Sequence, residues 1–174
     1  MTVQELEKMI GEYGGSIYSF CRKLCFNVDE ADELYQDVWL KAMQKIGTIK
    51  TGQNVKNYLI SLAIGIWRNN KKKFAVRNRI APQEDQKEEL PEPMEGSSSD
   101  ALEYMVQEER KKAVLCAVNR LEDLYRVPVL LYYMEEQSLK EIAKELHIPE
   151  GTVKRRLWTA RKKLSEELEE YRNE

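Results

Sequence analysis

One stretch of the sequence, residues 81–100, limits what this chain can fold into. It reads APQEDQKEELPEPMEGSSSD, with three prolines, a run of serines, and seven acidic residues against one lysine. Such a segment has too few apolar side chains to offset the entropy lost on ordering it, so we expect a flexible acidic linker. The linker divides the chain into residues 1–80 and residues 101–174. Each part is long enough for one small domain.

Both parts carry the apolar periodicity of α-helices, and no stretch alternates in the way a half-buried strand requires. The first part is predicted to form three helices, of which the second begins at Asn27 and the third near Val55. The second part is predicted to form four, and a capping box of Ser138 and Glu141 begins the third of them. The inward residues of the helix after Asn27 are Ala31, Leu34, Val38 and Ala42.

The last two predicted helices are separated only by the short break HIPEG, an arrangement typical of a helix-turn-helix. The chain is therefore predicted to be all-α. It should consist of two small helical domains joined by a flexible acidic linker, with the C-terminal domain containing the helix-turn-helix.

The final helix has two unlike faces. Its sequence is IPEGTVKRRLWTARKKL, residues 148–164, and its apolar stripe consists of Val153, Leu157, Ala160 and Leu164. Trp158 lies on the opposite side, among cations. A recognition helix in the major groove needs such an outward face, where arginine can pair with guanine and an indole can lie on methyl or sugar carbons. The alternative is a solvated amphipathic helix whose tryptophan packs on a neighbouring element.

The distribution of charge indicates a polyanionic partner. The formal net charge is −2, yet residues 38–83 contain ten basic residues and residues 151–163 contain six, with no acidic residue in either stretch. Two such stretches in an acidic protein indicate two separate contacts with a polyanion. The residues of the final helix predicted to bind DNA are Gly151, Thr152, Lys154, Arg155, Arg156, Trp158, Thr159, Arg161 and Lys162.

The composition argues against several other classes of protein. With one histidine, no glycine-rich phosphate loop and no nucleophile–base arrangement, we expect neither an enzyme nor a bound cofactor. Cys21, Cys25 and Cys116 have no CxxC spacing and are expected to be reduced core thiols rather than metal ligands. The most apolar stretch, at 59–67, is far shorter than the roughly 20 residues of a membrane helix, and no signal peptide is evident, so a cytoplasmic protein is expected.

Two blocks of the sequence resemble one family. SLKEIAKELHIPEGTVKRRLWTARKKL, residues 138–164, is similar to region 4 of the extracytoplasmic-function (ECF) sigma factors of bacterial RNA polymerase. DEADELYQDVWLKAM, residues 29–43, resembles the region 2 helix of the same family. Response-regulator DNA-binding domains have helices similar to the first block. The order of region 2, acidic linker and region 4 at this length is that of an ECF sigma factor.

The resemblance implies a non-enzymatic specificity subunit that docks on core RNA polymerase and directs promoter-specific initiation. Residues 1–80 would be the region 2 domain, which docks on polymerase and melts the downstream promoter element. Residues 81–100 would be a tether, and residues 101–174 the region 4 domain that reads the upstream element. The residues implied to dock on core polymerase are Asp32, Glu33, Leu34, Gln36 and Asp37. Those implied to bind the downstream element are Asn54, Lys56, Asn57, Tyr58, Arg68, Lys71, Lys72, Lys73 and Arg77.

The downstream-element segment departs from the family pattern. Where the family usually has Trp-Leu, then Arg, then Asn, this chain has Tyr58-Leu59, Ser61 and Gly65. The implied partners are core RNA polymerase, promoter DNA and an anti-sigma factor that could be membrane-bound. No insertion of this chain into a membrane is expected.

Two rival functions stay open from the residues alone. A stand-alone helix-turn-helix regulator would bind palindromic DNA as a dimer, but it leaves the basic stretch at 38–83 unexplained. A module that binds polymerase without reading promoters would need an impaired recognition helix, whereas the one at 148–164 has the full outward face.

Overall fold

The computed structural model describes residues 3–45, 54–80 and 101–169, and within them the side chains of all but residues 3–6, 77–80, 101–106 and 108. Throughout these ranges the regular structure is helical, with no strand. The elements are α1 (Val3–Leu24), α2 (Val28–Gln44), α3 (Val55–Ile80), α4 (Ala101–Arg120), α5 (Asp123–Val129), a π-helical turn (Leu130–Met134), α6 (Leu139–Leu146) and α7 (Glu150–Glu167). The predicted linker at 81–100 lies outside the described residues.

The chain divides into two compact units, Met1–Pro91 and Glu92–Glu174. The first unit contains α1 to α3 and the second contains α4 to α7. The prediction of an all-α protein with two helical parts is confirmed for the described residues.

Three helices pack together in the first unit, α1 and α3 each against α2 and also against one another. The most deeply buried apolar side chains of this core include Ile17, Phe20, Leu24, Val38, Leu59, Ile60 and Ile64. Helix α2 begins where the sequence predicts, because Asn27 Oδ1 accepts the backbone N–H of Glu30 at 2.7 Å.

The side chain of Tyr35, on α2, reaches α1 at Gly14. A Cβ atom at this position would lie 3.0 Å from the hydroxyl oxygen of Tyr35, so an alanine there would require that hydroxyl to move by a few tenths of an ångström. Helix α1 continues through Gly14 and Gly15 without a break, although glycine costs about 1 kcal/mol relative to alanine inside a helix. Aromatic side chains of the two helices are in contact nearby, with the ring centres of Tyr18 and Tyr35 5.4 Å apart.

In the second unit α7 is the central helix, because α4, α5 and α6 all pack against it. Its buried apolar residues meet Leu131, Ile142 and Leu146 in a small core. The second of the four helices predicted for this unit consists of α5 and the π-helical turn that follows it directly. Pro128 lies inside α5, just before the π-helical turn. Since proline has no N–H to donate and crowds the preceding turn, a change of helix geometry is expected here.

The segment around the π-helical turn buries polar side chains that the apolar periodicity did not predict. Arg126 is fully buried and pairs with Asp123 Oδ1 at 2.8 Å. Glu135 and Gln137 are buried as well, and Glu136 between them has a φ of 52°, in the left-handed region that side chains disfavour. This segment leads directly into α6 and so determines where the helix-turn-helix begins.

The cysteines differ in their surroundings. Cys21 and Cys25 are buried in the first unit and Cys116 is half-buried in the second. Burial raises the pKa of the Cys21 thiol to about 12, so this thiol keeps its proton at neutral pH. Among the helices described, none has the length and apolar character needed to cross a bilayer.

Candidate nucleic-acid and protein interfaces

Helices α6 and α7 form the predicted helix-turn-helix, and hydrogen bonds fix both ends of α6. The predicted capping box is present: Glu141 N–H donates to Ser138 Oγ at 3.3 Å, and Ser138 N–H donates to the Glu141 carboxylate at 2.8 Å. Hydrogen bonds from the Ser138 hydroxyl and N–H lower the pKa of Glu141. At the other end His147 has a φ of 54°, and Ile148 N–H donates to the Ala143 carbonyl at 3.0 Å.

Helix α7 has the two faces that its sequence predicts. Val153, Leu157 and Ala160 are buried, with at most 1% of each exposed, whereas Trp158 is 62% exposed. None of the nine residues predicted to bind DNA is buried. The exposed ones are Gly151, Lys154, Arg155, Trp158, Arg161 and Lys162, and the half-buried ones are Thr152, Arg156 and Thr159. The outward face is therefore open to a ligand within this unit.

An indole and an ammonium group lie side by side on this outward face. Lys162 Nζ lies 6.0 Å from the centre of the Trp158 ring and 3.9 Å from Glu166 Oε1. Both partners of Lys162 are on its own helix, one turn away in each direction, and the lysine side chain is 64% exposed. Such exposed pairs contribute little to stability, so Lys162 can exchange Glu166 for a phosphate at small cost.

Lys163, which follows Lys162 in α7, faces the rest of the second unit. Lys163 Nζ lies 5.5 Å from the centre of the Tyr125 ring and 4.0 Å from Glu122 Oε1, both near the start of α5. On the same side of α7, Arg120 at the end of α4 pairs with Glu167 at 2.8 Å. Lys163 thus joins α7 to its neighbours, whereas Lys154, Arg155, Arg161 and Lys162 are exposed and Arg156 is half-buried.

A second basic surface lies on the later part of α3. Lys71, Lys72 and Lys73 are exposed and Arg68 is half-buried. The side chain of Arg77 lies outside the described residues. Lys71 differs from the other two lysines, because its Nζ lies 4.9 Å from the Trp67 ring centre and 5.5 Å from that of Phe26. These cation–π contacts hold one ammonium group in a defined position at the surface.

The start of α3 carries the other residues implied to bind the downstream element. Asn54 is exposed, and its Oδ1 accepts the backbone N–H of Asn57 at 3.2 Å, which makes it the N-cap of the helix. Lys56, Asn57 and Tyr58 are half-buried. The Tyr58 hydroxyl is buried and has no hydrogen-bond partner among the described residues, so the outer end of the ring points inward. The segment GTIKTGQN at 47–54, whose glycines and polarity predict a loop, lies outside the described residues except for Asn54.

A third surface is the acidic side of α2. Glu33, Gln36 and Asp37 are exposed, and Asp32 is half-buried and accepts a hydrogen bond from Tyr18. Leu34 is only 2% exposed. It belongs to the inward stripe that the helical periodicity predicts, and a side chain in that position supports the surface from below instead of contacting a partner.

The resemblance did not include two exposed apolar residues near this surface. Leu40 and Met43 of α2 are 55% and 50% exposed. Leu40 follows Asp37 by three positions and therefore lies on the same side of the helix. The sequence carried a signal for it, since the run of Val38, Trp39 and Leu40 is too wide for one apolar stripe.

Comparison with protein families finds one match in each compact unit. Residues 9–75 match the family described as Sigma-70 region 2, and residues 111–164 match Sigma-70, region 4. The chain is 26% identical over 160 residues to the ECF RNA polymerase sigma factor SigW of Bacillus subtilis, an alignment covering 90% of this chain and 84% of SigW. It is 23% identical over 166 residues to the RNA polymerase sigma-H factor of Pseudomonas aeruginosa, covering 92% and 84% of the two chains.

Two solved structures share the fold. The sigma factor RpoE of Bartonella quintana, crystallised with the anti-sigma factor NepR, matches with a TM-score of 0.79 and 21% identity, over 96% of this chain and 98% of RpoE. CnrH, in complex with the cytosolic domain of CnrY, matches with a TM-score of 0.64 and 14% identity, over 97% of this chain and 90% of CnrH.

Proposed function

The chain is an ECF sigma factor of the sigma-70 family, and on that basis we propose that it binds core RNA polymerase and directs promoter-specific transcription initiation. The observation that carries the proposal is that each compact unit contains one half of a two-part family match, region 2 in the first and region 4 in the second. The chain supplies recognition, and core polymerase performs the chemistry, so this protein is not itself an enzyme. Its place of action is the bacterial cytoplasm, where the polymerase works.

Region 4 reads the upstream promoter element through the outward face of α7. The exposed Arg155 can donate two parallel hydrogen bonds to a guanine, and Trp158 and Thr159 beside it can pack on thymine methyl or sugar carbons. Lys154, Arg161 and Lys162 are exposed on either side, and their charges can neutralise phosphates. Lys163 is assigned instead to the contact between α7 and α5.

Region 2 docks on core polymerase through the acidic side of α2. Glu33, Gln36 and Asp37 are exposed there, and carboxylates in this arrangement suit a cationic partner helix. Leu40 adds an apolar contact on the same side. We assign Leu34, which the resemblance placed in this surface, to the core behind it.

Region 2 also binds the downstream promoter element, through α3. The exposed ammonium groups of residues 71–73 suit duplex phosphates, while Asn54, Lys56 and Asn57 at the start of the helix offer amide and charged groups to a melted strand. Because the Tyr58 hydroxyl is buried, a contact of Tyr58 with a base would use the face of the ring.

An anti-sigma protein is a further proposed partner. RpoE of Bartonella quintana and CnrH were each solved with a bound partner, the anti-sigma factor NepR and the cytosolic domain of CnrY. The similarity of fold to both supports a partner of the same kind for this chain.

In vitro transcription with purified bacterial core polymerase tests the proposal. The chain should convert core polymerase, which initiates without promoter specificity, into an enzyme that starts at defined sites on a promoter library. Asp37→Lys should abolish core binding and leave the melting temperature unchanged. Glu7→Lys reverses an exposed acid on α1 and is the matched control. Tight, specific binding of the free protein to palindromic DNA, with no effect on polymerase, would contradict the proposal and favour a stand-alone regulator.

A further inference from the structure

One carboxylate of the α2 docking surface is held from outside its own helix. The hydroxyl of Tyr18, on α1, donates a hydrogen bond of 2.8 Å to Oδ1 of Asp32. The two residues are 14 positions apart, so the bond joins α1 to α2. The Tyr18 side chain is half-buried, and its hydroxyl reaches the edge of the surface that contains Glu33 and Asp37.

The position of the Tyr18 hydroxyl is fixed by aromatic packing. The Tyr18 ring meets the Tyr35 ring edge to face, with centres 5.4 Å apart and planes at 83°. Tyr35 meets Trp39 in the same way at 6.1 Å and 78°. The hydroxyl oxygen of Tyr35 also lies next to Gly14 of α1, 3.0 Å from where a Cβ atom would be. Three rings in contact along two helices therefore limit where the hydroxyl of Tyr18 can lie.

A carboxylate held in this way enters a complex at lower cost than a mobile one. A free aspartate side chain loses rotamer freedom when a partner captures it, and a pre-ordered one has already lost that freedom. The hydrogen bond engages Oδ1, and a carboxylate has further lone pairs with which to accept bonds from a cationic partner. The same bond, together with burial, raises the pKa of the Tyr18 hydroxyl, so it remains a donor at neutral pH.

We propose that Tyr18 is a positioning residue for core-polymerase docking, which holds the Asp32 carboxylate in the orientation that the polymerase binds. The inference rests on the proposed function, because it needs Asp32 to belong to the docking surface. Tyr18 itself does not contact the polymerase. Its contribution reaches the partner through Asp32 alone.

A double-mutant cycle on the full chain tests the proposal, with equilibrium binding to purified core polymerase as the measurement. Tyr18→Phe keeps the ring and removes the hydroxyl. It should weaken binding roughly threefold to tenfold, the range expected for ordering one side chain or losing one hydrogen bond. In an Asp32→Ala background the same substitution should have no further effect. Tyr13→Phe, which removes a hydroxyl from the same helix, is the matched control and should leave the affinity unchanged.

The outcomes separate this inference from the proposed function. If Tyr18→Phe weakens binding equally with and without Asp32, it acts through packing, and the positioning role is overturned. If Asp32→Ala weakens binding and Tyr18→Phe does not, the positioning role is likewise overturned while the docking surface stands. If neither Asp32→Ala nor Asp37→Lys affects binding, the docking surface itself is wrong and the inference fails with it. Melting temperatures of all variants show whether the fold is retained.

Discussion

Truncation of Trp158 to alanine tests whether the outward face of α7 reads DNA. Since the residue is 62% exposed, the protein covers only about 40% of it, which is roughly 100 Å² for a tryptophan. At about 25 cal/mol per Å² this contact stabilises the fold by at most about 2.5 kcal/mol. The higher helix propensity of alanine offsets about 0.5 kcal/mol of the loss. The free energy of unfolding should therefore fall by less than about 2 kcal/mol.

The neighbouring residue provides a matched control for stability. Leu157 is 1% exposed and lies on the buried side of the same helix. Leu157→Ala should destabilise by about 2–5 kcal/mol, because it removes apolar contacts and leaves a cavity. In thermal melting of the full-length variants, Leu157→Ala should lower the melting temperature more than Trp158→Ala does.

The effect of Trp158→Ala on DNA binding should be the larger of its two effects. A duplex that covers half of the exposed indole would bury roughly 80 Å², worth about 2 kcal/mol, or about thirtyfold in affinity. The measurement is promoter binding by polymerase holoenzyme carrying wild-type or variant chain, across a library of upstream elements. If Trp158→Ala lowers the melting temperature as much as Leu157→Ala does and leaves promoter preference intact, the tryptophan is a packing residue and the reasoning is refuted.

Three further predictions concern other parts of the chain. Arg155→Ala should cost about 1–3 kcal/mol of promoter-binding free energy and relax the preference at one base pair, whereas Lys162→Ala should weaken binding to all sequences alike and reduce its salt dependence by about one ion. Holoenzyme binding to a promoter library at several salt concentrations distinguishes the two variants. An equal loss of sequence preference in both would contradict the assignment. Glu136→Gly should raise the free energy of unfolding by about 1 kcal/mol, because a φ of 52° is strained for glutamate; chemical denaturation measures this, and a less stable variant would show that the side chain outweighs the strain. Brief proteolysis of the full chain should cut between about residues 81 and 100 and leave two resistant helical fragments, and resistance there with cleavage elsewhere would contradict the two-domain prediction.

Features that depend on one segment alone could be predicted from the sequence. The cap at Asn27 and the capping box at Ser138 need only side chains and backbone groups three residues apart, so local spacing determines them. The outward position of Trp158 follows in the same way from the period of the helix. Leu34 shows the strength of this local signal. The helical periodicity of α2 predicts that Leu34 lies in the core, whereas the family resemblance placed it in the docking surface. In the structure Leu34 is buried, as the periodicity predicts.

Polar residues in the second core could not be predicted in this way. Arg126 lies within α5, and Glu135 and Gln137 follow the π-helical turn. All three are buried, and no apolar pattern marks such positions. The positive φ of Glu136 could not be predicted either, because glycine is the residue that usually indicates such a backbone conformation. Helical periodicity thus predicts which apolar side chains are buried, but not which polar ones.

The same distinction explains why the hydrogen bond between Tyr18 and Asp32 is absent from any sequence pattern. Partners within a helix recur at three or four positions, so a reader of the sequence can pair them. Partners on different helices meet only where tertiary packing brings them together, and Tyr18 and Asp32 are 14 positions apart on two helices. In the sequence, Asp32 is one of several acidic residues close together, and nothing distinguishes it from the others. Once α1 packs against α2, Asp32 accepts a hydrogen bond from Tyr18. This bond distinguishes Asp32 from Glu33, Gln36 and Asp37, the other polar residues of the docking surface.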